Sequence, residues 1–303
     1  SSHHSDLREV WSVETPKRIL ATPIVINNIL ILGCYDGVLT ALSADTGKLL
    51  WSKTFSDFIF SLTTDQNGIV YAGTGLHSST TGYEIAIEAS TGNIIWQKKF
   101  TGHLEEPPFI DETLHQLWLG TGAGGLWSLD TRNGEALWHK DIGHLDATPL
   151  LLVNVLYVPA QIDETQHQSK FYALNATTGE TLWELPLDGQ PWATPIWNEQ
   201  NHLILSNTAE GQIGVHKETD RGLAQGIALN GDLIWQTILP DMALTPNLHF
   251  TKNNQIISVL KSGDIVSLSP DNGKIQWVSK VAKGLATEGV ILANYQQDLI
   301  AVA

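Results

Sequence analysis

The chain has 303 residues, 42% hydrophobic and 16% charged, with 11 tryptophans, which is ample apolar material for a packed core and excludes a disordered chain. Lys and Arg number 17 against 32 Asp and Glu, a formal net charge of −15, and no basic stripe offers to neutralise phosphates, which excludes nucleic acid as a partner. No run approaches the ~18 uninterrupted apolar residues of a membrane helix, and no basic start followed by an apolar stretch marks a signal peptide.

Taken in chain order, the opening SSHHSD (residues 1–6) reads as a disordered or tag-derived end. Residues 7–14 are predicted as one strand carrying Trp11. Four short strands follow, TPIVI, ILILGC, VLTALSA and KLLWSKT, joined by NN, YDG and ADTG, the turn chemistry of antiparallel hairpins. Cys34, the only cysteine, sits in the apolar run ILILGCY and is expected to be a buried thiol. The stretch SADTGKLLW then returns as EASTGNIIW, LDTRNGEALW, NATTGETLW, GDLIW and SPDNGKIQW. Each copy sets a glycine four residues before a tryptophan: Gly47 and Trp51, Gly92 and Trp96, Gly134 and Trp138, Gly179 and Trp183, Gly231 and Trp235, Gly273 and Trp277.

Successive tryptophans from Trp11 to Trp277 are 40, 45, 42, 45, 52 and 42 residues apart, a spacing that marks repeated units. Each unit reads as a four-stranded antiparallel sheet. Leu50, Ile95, Leu137, Leu182 and Ile234 precede their tryptophans, so both faces of the fourth strand read as apolar, and a sheet covered on both faces must be stacked between two others. The prediction is an all-β, seven-bladed β-propeller forming a single domain over residues 1–303. TEGVILAN and DLIAVA supply two strands of a last blade, which the N-terminal strand joins to close the ring; a further strand is expected beyond Ala303.

The glycine-turn and tryptophan pattern, best formed in YALNATTGETLW at residues 172–183, resembles the pyrroloquinoline quinone (PQQ) repeat, and the resemblance covers nearly the whole chain. It implies that Trp11, Trp51, Trp96, Trp138, Trp183, Trp235 and Trp277 dock between adjacent blades. The family ranges from quinoprotein alcohol dehydrogenases to non-catalytic BamB-type assembly factors. The dehydrogenases have eight blades, adjacent cysteines and a calcium; here there are seven units and one cysteine. Cations at central loop positions are limited to Lys17, Arg18 and Lys283. The resemblance is therefore nearest to the BamB type: no catalytic residues, no cofactor, no metal, a monomer in the periplasm or cell envelope with a protein partner. A quinoprotein dehydrogenase, and a sensory or accessory domain of a larger protein, are the alternatives.

The loops leading into each first strand and those between second and third strands are expected to gather on one face, the default binding surface of a propeller. Their exposed-looking side chains are Lys17, Arg18, Asp57, His103, Glu105, Glu106, His144, Asp146, Trp192, Met242 and Glu288. These are the candidate partner-binding residues, and their acidity points to a basic partner. GHLE and GHLD, holding His103 and His144, have the residue types of metal ligands, but repeats copy their own turn chemistry and a carboxylate beside a histidine also braces a loop. GTGAGG at 120–125 is expected to be a turn between strands. Insertions fall at 73–83, 159–170 and 207–222.

Overall fold

The computed structural model describes residues 9–15, 17–76, 78–163, 168–211, 219–250, 253–280, 292–294 and 299–301. The chain divides into two compact units, residues 1–137 and 138–303. All regular structure among the described residues is β-strand: six four-stranded antiparallel sheets and one two-stranded hairpin. Within each sheet the strands are hydrogen-bonded in chain order.

The first unit holds Ile24–Ile26, Ile29–Gly33, Val38–Ser43 and Leu49–Thr54 as its first sheet. Ile59–Thr64, Ile69–Thr74, Thr81–Glu88 and Ile94–Thr101 form the second. The third is Phe109–Asp111, Gln116–Thr121, Gly125–Asp130 and Ala136–Lys140, its last strand running into the second unit. In the second unit, Leu150–Leu152, Val155–Asp163, Gln168–Asn175 and Thr181–Asp188 form the fourth sheet. Ile196–Asn198, Leu203–Glu210, Arg221–Ala228 and Leu233–Leu239 form the fifth, and Leu248–Phe250, Gln255–Val259, Asp264–Leu268 and Ile275–Lys280 the sixth. Leu292–Asn294 and Leu299–Ala301 make the hairpin.

Neighbouring sheets bury aliphatic side chains against each other. Ile31, Leu39 and Ala41 of the first sheet share a cluster with Ile59, Val70 and Ile85 of the second. Leu205, Ala224 and Trp235 of the fifth share one with Ile256 and Val266 of the sixth.

The repeated glycines and tryptophans are linked across repeats. From Trp11 to Trp235, each repeated indole lies on the glycine turn of the repeat that follows it and donates its N–H to a carbonyl there. Trp11 reaches Ala44 O at 3.0 Å, Trp51 reaches Ala89 O at 2.7 Å and Trp96 reaches Thr131 O at 2.7 Å. In the second unit Trp138, Trp183 and Trp235 reach Ala176, Leu229 and Pro270, each at 2.9 Å. A β-carbon at Gly134 would come within 2.6 Å of the Trp96 ring, and φ there is +72°, so this position demands glycine on two counts. Opposite Trp51, Trp96, Trp183, Trp235 and Trp277 stand Ala41, Ala86, Ala173, Gly226 and Ser267, and the register shifts directly after each of them. A small partner and a bulge make room for the indole.

Two expectations need correction. Residues 9–14 carry no strand; Trp11 docks from a segment without sheet pairing. The residues preceding the tryptophans are not covered: Leu50 is 46% exposed, Ile95 47%, Leu137 48%, Leu182 52% and Ile234 51%. The fourth strand is a sheet edge, and the glycine turn covers only its tryptophan face. The tryptophans differ as well, from 7% exposed at Trp96 to 41% at Trp277.

The NN turn has Asn27 at φ 48° and Asn28 at φ 63°, the paired left-handed residues of a type I′ hairpin. The matching turn of the fourth sheet places Val153 at φ 56°, wholly exposed. A β-branched residue is strained there and contributes no packing. Val153→Asn is expected to raise the unfolding free energy by about 1 kcal/mol, read by urea denaturation; an unchanged midpoint would remove strain from this turn.

Candidate functional site

In the first unit, Asp57 ends a turn and accepts two hydrogen bonds, from the Phe58 amide at 2.8 Å and from Ser79 Oγ at 3.0 Å. Ser79 belongs to the insertion between the second and third strands of the second sheet, whose Gly75 amide also donates to Phe58 O at 3.1 Å. The loop and the insertion therefore hold each other. Lys17 and Arg18 are exposed; the Arg18 guanidinium sits 5.6 Å over the Tyr35 ring, which in turn meets Phe58 at 4.4 Å, a cation-π contact that costs the arginine little hydration.

His103 is only 4% exposed. Its ring fills the space that Gly122 leaves by having no side chain, since a β-carbon there would meet the imidazole at 2.1 Å. Nε2 stands 3.8 Å from Glu105 Oε1. Leu104 follows, its amide donating to Thr74 O at 3.2 Å and its carbonyl accepting from Ser61 Oγ at 3.2 Å. Glu105 and Glu106 come next in the chain and are partly exposed. GTGAGG is a hairpin turn, with Thr121 Oγ1 accepting from Gly124 N at 2.9 Å and donating to Gly125 O at 3.2 Å.

In the second unit, His144 Nε2 lies 2.8 Å from both oxygens of Asp146. The His144 backbone pairs with Gln161 in both directions, at 3.0 and 2.9 Å. Trp192 is half-buried in the next leading loop, where Gln190 pairs in the same way with Ala209. Met242 is fully buried, its sulfur packed over Gly211 and its amide donating to Asp241 Oδ1 at 2.8 Å. Lys261 and Asp220 form a buried pair at 3.8 Å beside it.

His103, Asp146 and Met242 were expected at the surface, and the structure buries all three. The reason is local: an imidazole fits over a glycine, a carboxylate is taken by the adjacent histidine, and a thioether fills the gap above Gly211. The partly or fully exposed candidates are Lys17, Arg18, Asp57, Glu105 and Glu106 in the first unit and His144 and Trp192 in the second. Glu288, like Lys283, lies outside the described residues. Sequence reasoning missed Glu84, Asn207, Asn247 and the Asp220–Lys261 pair. Their signal is a polar residue inside a strand or just beyond one of its ends, which alternation alone assigns to solvent.

Cys34 is 1% exposed. Burial, reinforced by the nearby Asp36 carboxylate, pushes its thiol pKa up, which disfavours the thiolate a nucleophile needs. No helix among the described residues is long and apolar enough to cross a membrane.

A family model described as outer membrane protein assembly factor BamB matches residues 3–65, 61–201 and 155–295. The chain belongs to the BamB family. An outer membrane protein assembly factor BamB from Yersinia pestis is 25% identical over 235 residues, 73% of this chain and 56% of that protein. The chain thus spans little more than half the length of that relative. Among solved structures, BamB from Moraxella catarrhalis superposes with a TM-score of 0.65 at 16% identity, covering 89% of this chain and 80% of its own. Quinohemoprotein alcohol dehydrogenase from Comamonas testosteroni superposes with a TM-score of 0.70 at 14% identity, covering 88% and 60%. At such identities the likeness establishes the PQQ-repeat β-propeller fold that BamB and the quinoproteins share, and leaves function to the residues.

Proposed function

We propose that this BamB-family chain is a non-catalytic scaffold of the cell envelope, a seven-bladed propeller closed by its terminal strands that acts as a monomer and binds a protein partner through its loops. The observation that carries this reading is the family match from residue 3 to residue 295. The loop chemistry supports it. The buried histidine, aspartate and methionine brace their own turns, and the carboxylates of Glu105 and Glu106 stand partly exposed on a chain of net charge −15. Such a surface steers a basic partner and gives it specificity.

The binding residues are Glu105 and Glu106, flanked by Lys17, Arg18 and Asp57, in the first unit, and His144 and Trp192 in the second; Glu288 joins them. His103, Asp146 and Met242 hold the loops from beneath. Trp192 is the anchor, because an indole in a turn outside the repeated docking positions is the kind of residue that carries interface energy. The test is affinity capture from an envelope extract by the immobilised chain and by a Trp192→Ala, Glu105→Lys, Glu106→Lys variant. The variant is expected to lose a salt-sensitive basic partner while keeping its unfolding midpoint. Capture that survives in the folded variant would reject these loops.

The second reading is PQQ binding, which the fold shared with a quinohemoprotein dehydrogenase permits without itself supporting. Against it stand the single buried cysteine and the sparse cations of the loops. Calorimetry with PQQ and calcium is expected to give no saturable heat. Stoichiometric binding at micromolar PQQ would replace the scaffold reading with the enzymatic one.

A further inference from the structure

Glu84, in the third strand of the second sheet, has no exposed surface, and neither carboxylate oxygen has a hydrogen-bond partner. Its strand neighbour Ala86 lies in the cluster that joins the second and third sheets of the first unit, with Tyr71, Trp96, Phe100, Leu104, Leu117, Leu119 and Leu129. By alternation Glu84 points to the same side. Directly across the ladder on one side is Gly73, which has no side chain to offer, and on the other is Lys98. Lys98 is the natural partner for a carboxylate, yet its ammonium lies 6.0 Å from the centre of the Trp127 ring, on the third sheet. A buried ionised carboxylate without a partner is costly, so such a group keeps its proton.

We propose that Glu84 is a proton-operated latch between the second and third sheets: neutral, it leaves Lys98 on Trp127 and the sheets packed; ionised, it draws Lys98 off the indole and loosens the contact. The two arrangements exchange one cation between two sites already in reach. Desolvation raises the Glu84 pKa from 4.5 to about 8. Few other charges face it. Tyr71 on the second strand is a phenol bonded to Asp65 at 3.4 Å, and Lys98 is on the fourth strand. The first strand brings Ser61, the third sheet brings Leu117, Leu119, Trp127 and Leu129, and His103 and Glu105 lie in the loop beyond Gly102.

The sign follows from linkage. The folded chain holds a proton that the unfolded chain releases above pH 4.5, so stability is fully present below that value and falls as pH rises through about 8. Urea unfolding between pH 5 and 9 is the measurement, with Glu84→Gln and Glu84→Met as variants that cannot ionise. The ratio of the wild-type folding constant to that of either variant is expected to fall roughly tenfold per pH unit up to about 8 and then level. The Lys98 ammonium resonance, shifted by the indole ring current, is expected to move with a midpoint near 8 in the wild type and stay fixed in Glu84→Gln. If the variants reproduce the wild-type profile, Glu84 is not the titrating group. If the profiles differ but the Lys98 resonance does not move, there is a titrating acid but no latch. Either result overturns the proposal.

Discussion

Trp96→Ala is expected to lower the unfolding free energy by about 3–5 kcal/mol, the usual cost of emptying a core aromatic site. The indole is 7% exposed, donates to Thr131 O at 2.7 Å, lies on the Gly134 turn and meets Tyr71 at 6.1 Å between ring centres. Alanine would leave a cavity between two sheets and a part-buried carbonyl without its donor. Trp96→Phe keeps much of the ring contact and is expected to lose less, with about 1 kcal/mol of it attributable to the hydrogen bond. The complementary change, Gly134→Ala, attacks the same contact from the other side: the new β-carbon would stand 2.6 Å from the ring on a backbone of φ +72°. Because the two residues share one contact, the double variant is expected to cost clearly less than the sum of the singles. Chemical denaturation measures all four variants. A Trp96→Ala loss under about 1 kcal/mol, within the range of ordinary surface substitutions, would mean that the docked indole does not hold the repeats together.

Asn247→Ala is expected to cost about 3 kcal/mol or more, from at least two stranded polar groups at roughly 1–3 kcal/mol each. Asn247 precedes the first strand of the sixth sheet, and Asn207 lies in the fifth. Their amides exchange hydrogen bonds, Asn207 Nδ2 to Asn247 Oδ1 at 3.1 Å and Asn247 Nδ2 to Asn207 Oδ1 at 3.0 Å. Ser258 Oγ donates to the same Asn247 oxygen, and Asn207 Nδ2 also reaches Thr245 O at 3.3 Å. All three side chains are at most 4% exposed, so water cannot replace the lost partner without opening the contact between the sheets. Removing both amides strands less, and an Asn207→Ala, Asn247→Ala double variant is expected to be more stable than the single losses predict. Strict additivity would show that the pair contributes as two unrelated residues.

Much of this architecture is local chemistry and was therefore legible in residue order. Strand positions follow from alternating apolar residues, the Asn27–Asn28 turn from the tolerance of asparagine for positive φ, and the presence of repeated four-stranded units from the tryptophan spacing. The candidate loops could be located, but not the state of their side chains: His103 beside Glu105 looks like surface chemistry until Gly122, distant in sequence, is seen to make room for its ring. The partner of each repeated glycine was hidden for the same reason. Gly134 reads as belonging to Trp138, four residues on, whereas it carries Trp96, 38 residues before it. Glu84 is the plainest case. Gly82, Glu84, Ala86 and Glu88 alternate along one strand as a solvent-facing edge would, and only the third sheet, packed over Tyr71 and Ala86, removes that carboxylate from water. Residue order determines which backbone segments pair with their neighbours, because those contacts span a few residues and depend on φ, ψ and turn type. Burial is decided by contacts between sheets 30 or more residues apart, as in the tryptophan hydrogen bonds, and only the tertiary structure holds that information.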